Sequence, residues 1–310
     1  MDSENRFLLI GSQGWICGQL EALLKSQGKT IHATNYRMED SARMNQLFDE
    51  FKPTRVINCA GKTGRPNVDW CEDHKVETVR SNVIGTLMLA ELCHERGVHF
   101  TNLATGCIYS STYNADRTQL LSAPFTEADP ANFGGSFYSF TKSRAEDLLR
   151  ATYPRSLTLR IRMPISDDLH PRSFVTKITR YARVVNIPNS NSILHDLLPM
   201  VVAMAEHEET GVCNFTNPGA ISHNEVLALY KEIVDPQFEW KNFSLEEQAK
   251  VIVAERSNCE LDATRLMQLV EQYQCEGVDV DVAEIREAYR GCFERMKKNL
   301  QMEGGAPVET

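Results

Sequence analysis

The 310-residue sequence holds nine cysteines but no Cys-x-x-Cys pair. That spacing serves zinc sites and redox dithiols, so neither is expected, and no metal is assigned. An odd number of thiols argues for reduced cysteines in a cytoplasmic protein rather than a disulfide framework. The sequence also lacks any uninterrupted apolar run near the roughly 20 residues of a membrane span. It has no excess of positive charge: 33 Lys and Arg stand against 42 Asp and Glu, for a net charge of -9. Nucleic acid is therefore not an expected partner, because phosphate contacts need clustered cations. There is no internal repeat. The opening run MDSENRFLLIG enters a strand almost at once, so a cleaved leader is not expected. Two glycosylation sequons, at Asn214 and Asn242, are incidental in a cytoplasmic chain.

What is present is alternation. With 42% hydrophobic residues the chain can bury a substantial core. Short apolar runs at Arg6–Gly11, Thr30–Thr34, Arg55–Gly61, His99–Tyr109 and Leu157–Met163 read as strands. Amphipathic stretches near Trp15–Gln27, Ala42–Phe51, Val76–Arg96 and Ser136–Ala151 read as helices between them. The series predicts an α/β fold, a doubly wound parallel sheet with helices on both faces. After Met163 the alternation loosens, and Pro164, Pro171, Pro188, Pro199 and Pro218 punctuate loop-like sequence. The expected division is a dinucleotide-binding domain over 1–163 and a smaller C-terminal substrate lobe over 164–303. Residues 212–216 are expected to return to the sheet, and 304–310 to form a disordered tail.

The first strand runs into Gly11-Ser12-Gln13-Gly14-Trp15-Ile16-Cys17-Gly18. A tight glycine turn opening a helix lets backbone N–H groups approach a pyrophosphate, which the helix N-terminus also favours. Gly11, Gln13, Gly14, Trp15 and Ile16 are the candidate contacts. The usual third glycine, which permits close helix–strand packing, falls on Cys17, a small residue. After the second strand no carboxylate stands where one would hold the ribose 2′-hydroxyl of NAD. Arg37 is close enough to pair with a 2′-phosphate instead, so NADPH is expected, with NADH tolerated. Cys59, Ala60 and Gly61 after the third strand, and Met163 after the fifth, complete the expected cofactor surface.

Thr105-Gly106-Cys107 ends a predicted strand, and Tyr138-Ser139-Phe140-Thr141-Lys142 lies on the helix that follows. A Tyr and a Lys four apart share a helix face, so the ammonium is expected to stand beside the phenol and lower its pKa. The Thr105 hydroxyl can bond the carbonyl oxygen that the phenol protonates. These three residues are the proton-delivery apparatus of a carbonyl reductase. Cys107, two residues beyond Thr105, is a further acid/base candidate that simple reduction does not need.

Several longer runs carry a resemblance: Gly64–Glu72, Ala104–Ile108, Gly135–Ser139, Arg160–Ser166, Asn214–Gly219 and Glu260–Thr264. Through them the chain resembles the extended short-chain dehydrogenase/reductases, and within them the bifunctional 3,5-epimerase/4-reductases that make nucleotide-rhamnose in plants. The likeness spans roughly residues 6 to 270. The plant proteins often carry a 4,6-dehydratase in the same chain; here a separate dehydratase is implied upstream.

The resemblance implies UDP- or dTDP-4-keto-6-deoxyglucose as substrate and nucleotide-L-rhamnose as product. It implies Cys107 as the epimerase base, by likeness to the GDP-fucose synthases, whose Cys stands two residues after the catalytic Ser. Their acid is a His; at the matching place stands Phe174, which makes Lys177, one turn on, the candidate acid. Arg65, Asn67, Asn132, Arg162 and Arg256 are polar groups in the shared runs and candidate sugar or diphosphate contacts. Trp70 and Trp240 are candidates for stacking on the base. His170, His195 and His223 lack metal-ligand spacing and are assigned to structure. In related enzymes the helix carrying Tyr and Lys pairs across a two-fold axis, so a homodimer is expected, with Leu148, Leu149 and Ala151 buried in a partner or the chain's own core. Two other readings stand beside this one: a sugar-nucleotide 4-epimerase that recycles NAD, and a non-catalytic subunit resembling the beta subunit of methionine adenosyltransferase.

Overall fold

The computed structural model describes residues 5–65, 67–244, 246–247, 250 and 253–304; of the expected disordered tail only Gly304 falls within them. The first half alternates as expected. Its elements are β1 (Arg6–Ile10), α1 (Trp15–Ser26), β2 (Thr30–Thr34), α2 (Ser41–Phe51), β3 (Arg55–Asn58), α3 (Trp70–Asp73), α4 (Lys75–Val79), a π-helical turn at Arg80–Ile84, α5 (Gly85–Glu95), β4 (His99–Thr105), α6 (Phe137–Thr152) and β5 (Leu157–Ile161). The second half holds β6 (Pro164–Ile165), α7 (Phe174–Ile178), β7 (Ser192–Ile193), α8 (Leu194–Glu206), β8 (Gly211–Asn214), α9 (His223–Ile233), α10 (Thr264–Cys275) and α11 (Ile285–Gly304).

Six strands form a sheet in the order β2-β1-β3-β4-β5-β8, and every neighbouring pair is parallel. The strand order reverses between β1 and β3, and a crevice at the carboxyl ends of such strands is where doubly wound folds take ligands. Side chains alternate across β1. Phe7 and Leu9 join α1, α8 and α10 on one face, while Leu8 and Ile10 join α2, α5 and α6 on the other. Both faces are thus covered, as a parallel sheet requires.

More of the second half joins the sheet than 212–216. β8 pairs with β5, and α8 and α10 complete the layer around α1. Residues of β6, α7, β7, α9 and α11 build a separate apolar cluster around Ile165, Val175, Leu227, Tyr289 and Phe293, beside the strand ends. Pro199, read from the sequence as a loop marker, lies inside α8. Its missing N–H leaves the carbonyl of exposed His195 without its helical donor, a cost that burial of the apolar face of α8 outweighs.

The stretch expected as one helix over Val76–Arg96 is interrupted by the π-helical turn. That turn rotates Asn82 inward. Its Oδ1 accepts from the backbone N of Lys62 at 2.7 Å and its Nδ2 donates to the carbonyl of Lys62 at 2.9 Å, which pins the loop after β3. Such bulges recur at functional sites because they re-aim one side chain. β4 ends at Thr105, earlier than the expected Tyr109, because the Thr105 hydroxyl takes the amide of Cys107 and turns the chain. β3 and β5 also stop short of the expected ends, at Asn58 and Ile161.

Candidate active site

The glycine turn after β1 is a backbone crossing. The N–H groups of Gly11 and Ser12 both donate to the carbonyl of Thr34, at 2.8 and 3.1 Å. Gly11 has φ +97°, and a Cβ there would come within 3.0 Å of the backbone N of Ala60. A Cβ on Gly14 would meet the carbonyl of Gly11 at 3.0 Å. The chain therefore needs glycine at both places for α1 to start where it does. Gly14 caps α1 without a side-chain bond, and no acidic residue occupies the first turn, so the helix N-terminus is open to an anion. Gln13 is exposed, and Trp15 and Ile16 are half-buried. At the third-glycine place Cys17 is buried, and its thiol bonds that of Cys59, whose pKa this contact and burial push up. Gly18 next to it has open space where a Cβ would stand, so the thiol pair fills the position a glycine usually leaves empty.

Arg37 is exposed just beyond β2. Tyr36 beside it lies under the guanidinium of Arg43 at 4.8 Å. The nearby carboxylate of Asp40 accepts the backbone N of Arg43 as the cap of α2. These residues fit a 2′-phosphate: Arg37 is exposed next to Tyr36, whose ring carries the Arg43 guanidinium, and Arg43 also pairs with Asp40 at 4.0 Å. Arg43 was not found from sequence, since its place over Tyr36 depends on the α2 start.

Thr105, Cys107 and Tyr138 come together at the end of β4. The Thr105 Oγ1 accepts from the Cys107 amide at 3.1 Å and shares a hydrogen bond with the buried phenol of Tyr138. Burial, and then the charge of a Cys107 thiolate, push the Tyr138 pKa up; the Thr105 bond opposes them, and Cys71 adds a smaller push upward. The expectation that Lys142 lowers this pKa is corrected. Its Nζ donates to the Leu103 carbonyl at 3.3 Å and stands by Gly61, where a Cβ would be 3.9 Å away. Burial pulls the Lys142 pKa down to about 8, with Glu146 partly opposing. The physical reason is that helical spacing places the two residues on one face, while a buried ammonium turns to the carbonyl oxygen that can accept from it. Tyr138 is therefore a neutral phenol, a proton donor. Lys142, Gly61 and Asn82 form a cradle that suits a ribose hydroxyl.

Arg162 is not a free ligand. It is fully buried, donates from Nη1 to the Gly106 carbonyl at 3.1 Å and the Ser257 Oγ at 2.8 Å, and bonds Asn189 and the Ser257 carbonyl through Nη2. It clamps the 105–107 turn from beneath, and a thiolate at Cys107 acts on its charge. Asn132 is likewise engaged, accepting from the Ser110 N at 2.8 Å and donating to the Ser110 carbonyl at 3.1 Å. The Asn67 Oδ1 accepts from the Asp69 N at 2.8 Å. Arg256 pairs with Asp69 at 2.8 Å and ties the 254–257 strand of chain to the loop before α3. Met163 turns at φ 39°, its sulfur accepting from Asn191 Nδ2 at 3.3 Å.

Arg65 is exposed. Lys177 is half-buried on α7, and burial followed by the charge of Arg172 pulls its pKa down. Arg172 donates to the Thr63 Oγ1 at 3.0 Å, so it joins the Lys177 segment to the loop after β3. No direct bond joins Lys177 to Thr105, Cys107 or Tyr138 among the described residues. Trp70 is stacked on His74 at 3.9 Å. Trp240 donates to the Asn224 Oδ1 at 2.9 Å and packs on the second apolar cluster, which corrects its reading as a base-stacking candidate.

The model of the RmlD substrate binding domain matches residues 5–190. A bifunctional dTDP-4-dehydrorhamnose 3,5-epimerase/dTDP-4-dehydrorhamnose reductase of Arabidopsis thaliana is 53% identical over 265 residues, covering 85% of this chain and 87% of that protein. A trifunctional UDP-glucose 4,6-dehydratase/UDP-4-keto-6-deoxy-D-glucose 3,5-epimerase/UDP-4-keto-L-rhamnose-reductase of the same plant is 52% identical over 262 residues, which are 84% of this chain and 39% of that longer one. The crystal structure of a UDP-rhamnose synthase from Acanthamoeba polyphaga mimivirus superposes with a TM-score of 0.85 at 36% identity, over 94% of this chain and 100% of that one.

Proposed function

The chain belongs to the RmlD substrate binding domain family, and from that membership and the site we infer a bifunctional enzyme: a 3,5-epimerase/4-reductase that converts UDP- or dTDP-4-keto-6-deoxyglucose to the nucleotide-L-rhamnose with NADPH. One observation carries the reading. The Thr105 hydroxyl bonds both the Cys107 amide and the Tyr138 phenol, so one carbonyl oxygen there meets a hydrogen-bond donor and an acid with a thiol close by.

The C4 carbonyl of the substrate acidifies the protons at C3 and C5. Cys107 takes one of them. Thr105 and Tyr138 hold the negative charge that moves to O4, the kind of preorganised stabilisation that lowers such barriers most. Lys177 returns a proton from the opposite face and the configuration inverts. NADPH bound on the open N-terminus of α1, the Arg37 side and the Lys142 cradle supplies the hydride for C4. Tyr138 gives its proton to O4 as the alcohol forms. Arg65 and Asn67, on the loop before α3, are the sugar-side contacts that the geometry leaves most accessible. Arg162, Asn132 and Arg256 act by shaping the turn and loops around that space.

The division of labour along the chain follows. Residues 1–163, with α8, β8 and α10, hold the cofactor, and the remaining parts of 164–303 bear on the substrate. The ketone it takes is the product of a 4,6-dehydratase reaction. The enzyme acts in the cytoplasm as a homodimer, and no described helix is long and apolar enough to cross a membrane.

Incubation with UDP-4-keto-6-deoxyglucose and NADPH, followed by identification of the sugar, tests the reading. UDP-L-rhamnose is expected. A 6-deoxyhexose with the D configuration at C5 would leave only a 4-reductase, and an unchanged ketone would remove both activities.

A further inference from the structure

The segment between β6 and α7 reaches from one wall of the ligand crevice to the other. On the β1 side it rests on α1. Trp15 Nε1 donates to Asp168 Oδ2 at 2.8 Å, and Gln19 Nε2 donates to the same oxygen at 3.2 Å. The other end of the Gln19 amide, Oε1, accepts from Ser166 Oγ at 3.3 Å. The Trp15 ring stacks on His170 with centroids 5.1 Å apart and planes 4° from parallel. Asp168 Oδ1 accepts the backbone N of His170 at 3.1 Å, and His170 Nδ1 accepts the backbone N of Arg172 at 3.1 Å, so the turn is also fixed from within. On the β3 side the Arg172 side chain reaches the loop after that strand. Its Nη1 donates to Thr63 Oγ1 at 3.0 Å, two residues beyond Gly61.

α1 and the loop with Thr63 follow the carboxyl ends of β1 and β3, between which the strand order reverses. A segment bonded to both therefore crosses the mouth of the crevice. Its two roots are firm. Ile165 belongs to the second apolar cluster, Asp167 pairs with Arg295 of α11 at 3.3 Å, and Ser173 and Val175 are buried. The crossing part is different. Among the described residues, none of 168–172 belongs to an apolar cluster, and Leu169 and Pro171 are exposed. Hydrogen bonds and one ring stack hold it down, and water can replace the hydrogen bonds at small net cost. A short span of this kind opens locally while its roots stay in place.

We propose that Asp168–Arg172 is a strap over the dinucleotide, latched to α1 by Asp168 and to the β3 loop by Arg172, and that NADPH enters and NADP+ leaves when a latch opens. Asp168 and Thr63 are positioning residues, since they hold the strap and not the reacting atoms. The inference rests on the reading that the cofactor diphosphate lies on the N-terminus of α1. A closed strap slows passage in both directions and leaves the affinity nearly unchanged. That separates it from an ordinary contact, whose loss raises the dissociation rate alone.

Stopped-flow fluorescence of NADPH, with the full chain and no sugar nucleotide, is the test. Asp168→Ala should raise the association and dissociation rates each by about tenfold and keep Kd within about threefold of wild type. Thr63→Val, at the opposite wall, should raise both rates by about threefold. The two effects should not add, because either open end frees the strap; the double variant should stay within about twofold of Asp168→Ala. Should Asp168→Ala fold poorly, Arg172→Met decides with Thr63→Val: both remove the same bond, so each alone and the two together should give the same rates. A rise in dissociation with unchanged association overturns the proposal and makes Asp168 a support of the bound cofactor. Additive effects, or rates equal to wild type, overturn it as well and leave the cofactor reading intact. A wild-type protein that binds no NADPH overturns both.

Discussion

Lys142 sends its ammonium to the Leu103 carbonyl, 3.3 Å away, instead of to the phenol one helical turn before it. Leu103 belongs to β4, so the lysine joins the catalytic helix to the strand that ends in Thr105. Tyr138 meanwhile keeps its proton through burial, with Thr105 as its hydrogen-bond partner.

Lys142 should cost the fold stability at neutral pH. Its folded pKa of about 8 lies below the 10.5 of a free lysine, so between those values the unfolded chain binds more protons than the folded one. Stability therefore rises with pH across that window, and the full penalty, at most roughly 3 kcal/mol, is present below about pH 8. Lys142→Met should melt at or above the wild-type temperature at pH 7 and lose the rise between pH 8 and 10. A variant that melts lower at pH 7 would show that the Leu103 bond outweighs the buried charge.

Tyr138→Phe keeps the ring and removes the proton donor. Reduction should fall by about 10² to 10⁴, while NADPH affinity stays near wild type. Steady-state rates with fluorescence titration of the cofactor check this, and a rate within about threefold of wild type would assign the proton to another group.

Arg37→Ala should raise KM for NADPH far more than for NADH, because the lost partner is a 2′-phosphate that NADH lacks. Arg43→Ala should act in the same sense and more weakly, through the ring of Tyr36. Equal changes for the two cofactors would remove Arg37 from the cofactor surface.

Gly106 has no room for a methyl group: a Cβ would stand 2.5 Å from Leu261 Cδ1 and 2.8 Å from Arg162 Cγ. Gly106→Ala should therefore cost about 1–3 kcal/mol and displace Thr105 and Cys107 together. Both deuterium uptake and reduction should fall by at least about tenfold. Loss of only one activity would mean that the turn carries a single function.

Phe140 and Leu148 on α6 are 46% and 42% exposed, and Ile84 on the adjoining π-helical turn is 46% exposed. Leu149 is buried in the chain's own core and Ala151 is exposed. A second copy covering this face would explain apolar side chains on the helix that carries the catalytic pair. Light scattering should give a dimer at micromolar concentration, and Phe140→Glu with Leu148→Glu should give a monomer. A wild-type protein at monomer mass throughout would end the homodimer proposal.

The layers of this protein are written in its apolar periodicity. Period-two and period-3.6 apolar patterns act over a few residues, so the strands around Leu8, Ile57 and Leu103 and the helices between them were legible. The glycine turn at Gly11 and Gly14 was legible as a local run, and spacing along α6 put Tyr138 and Lys142 on one face; Thr105 and Tyr138 lie on different elements and were legible as a motif. Tertiary structure decided what each polar group meets. Arg162 looks like an accessible ligand in sequence, yet it spends its donors on Gly106 and Ser257, 56 and 95 residues away. Arg172 carries no local motif, and only the fold brings Thr63 to it. Pro199 stays in a helix because α8 packs on the sheet, and Lys142 turns to a strand carbonyl because burial leaves its ammonium few other acceptors. Buried polar groups such as Arg162 and Lys142 find partners far away in sequence, and no local pattern encodes those partners.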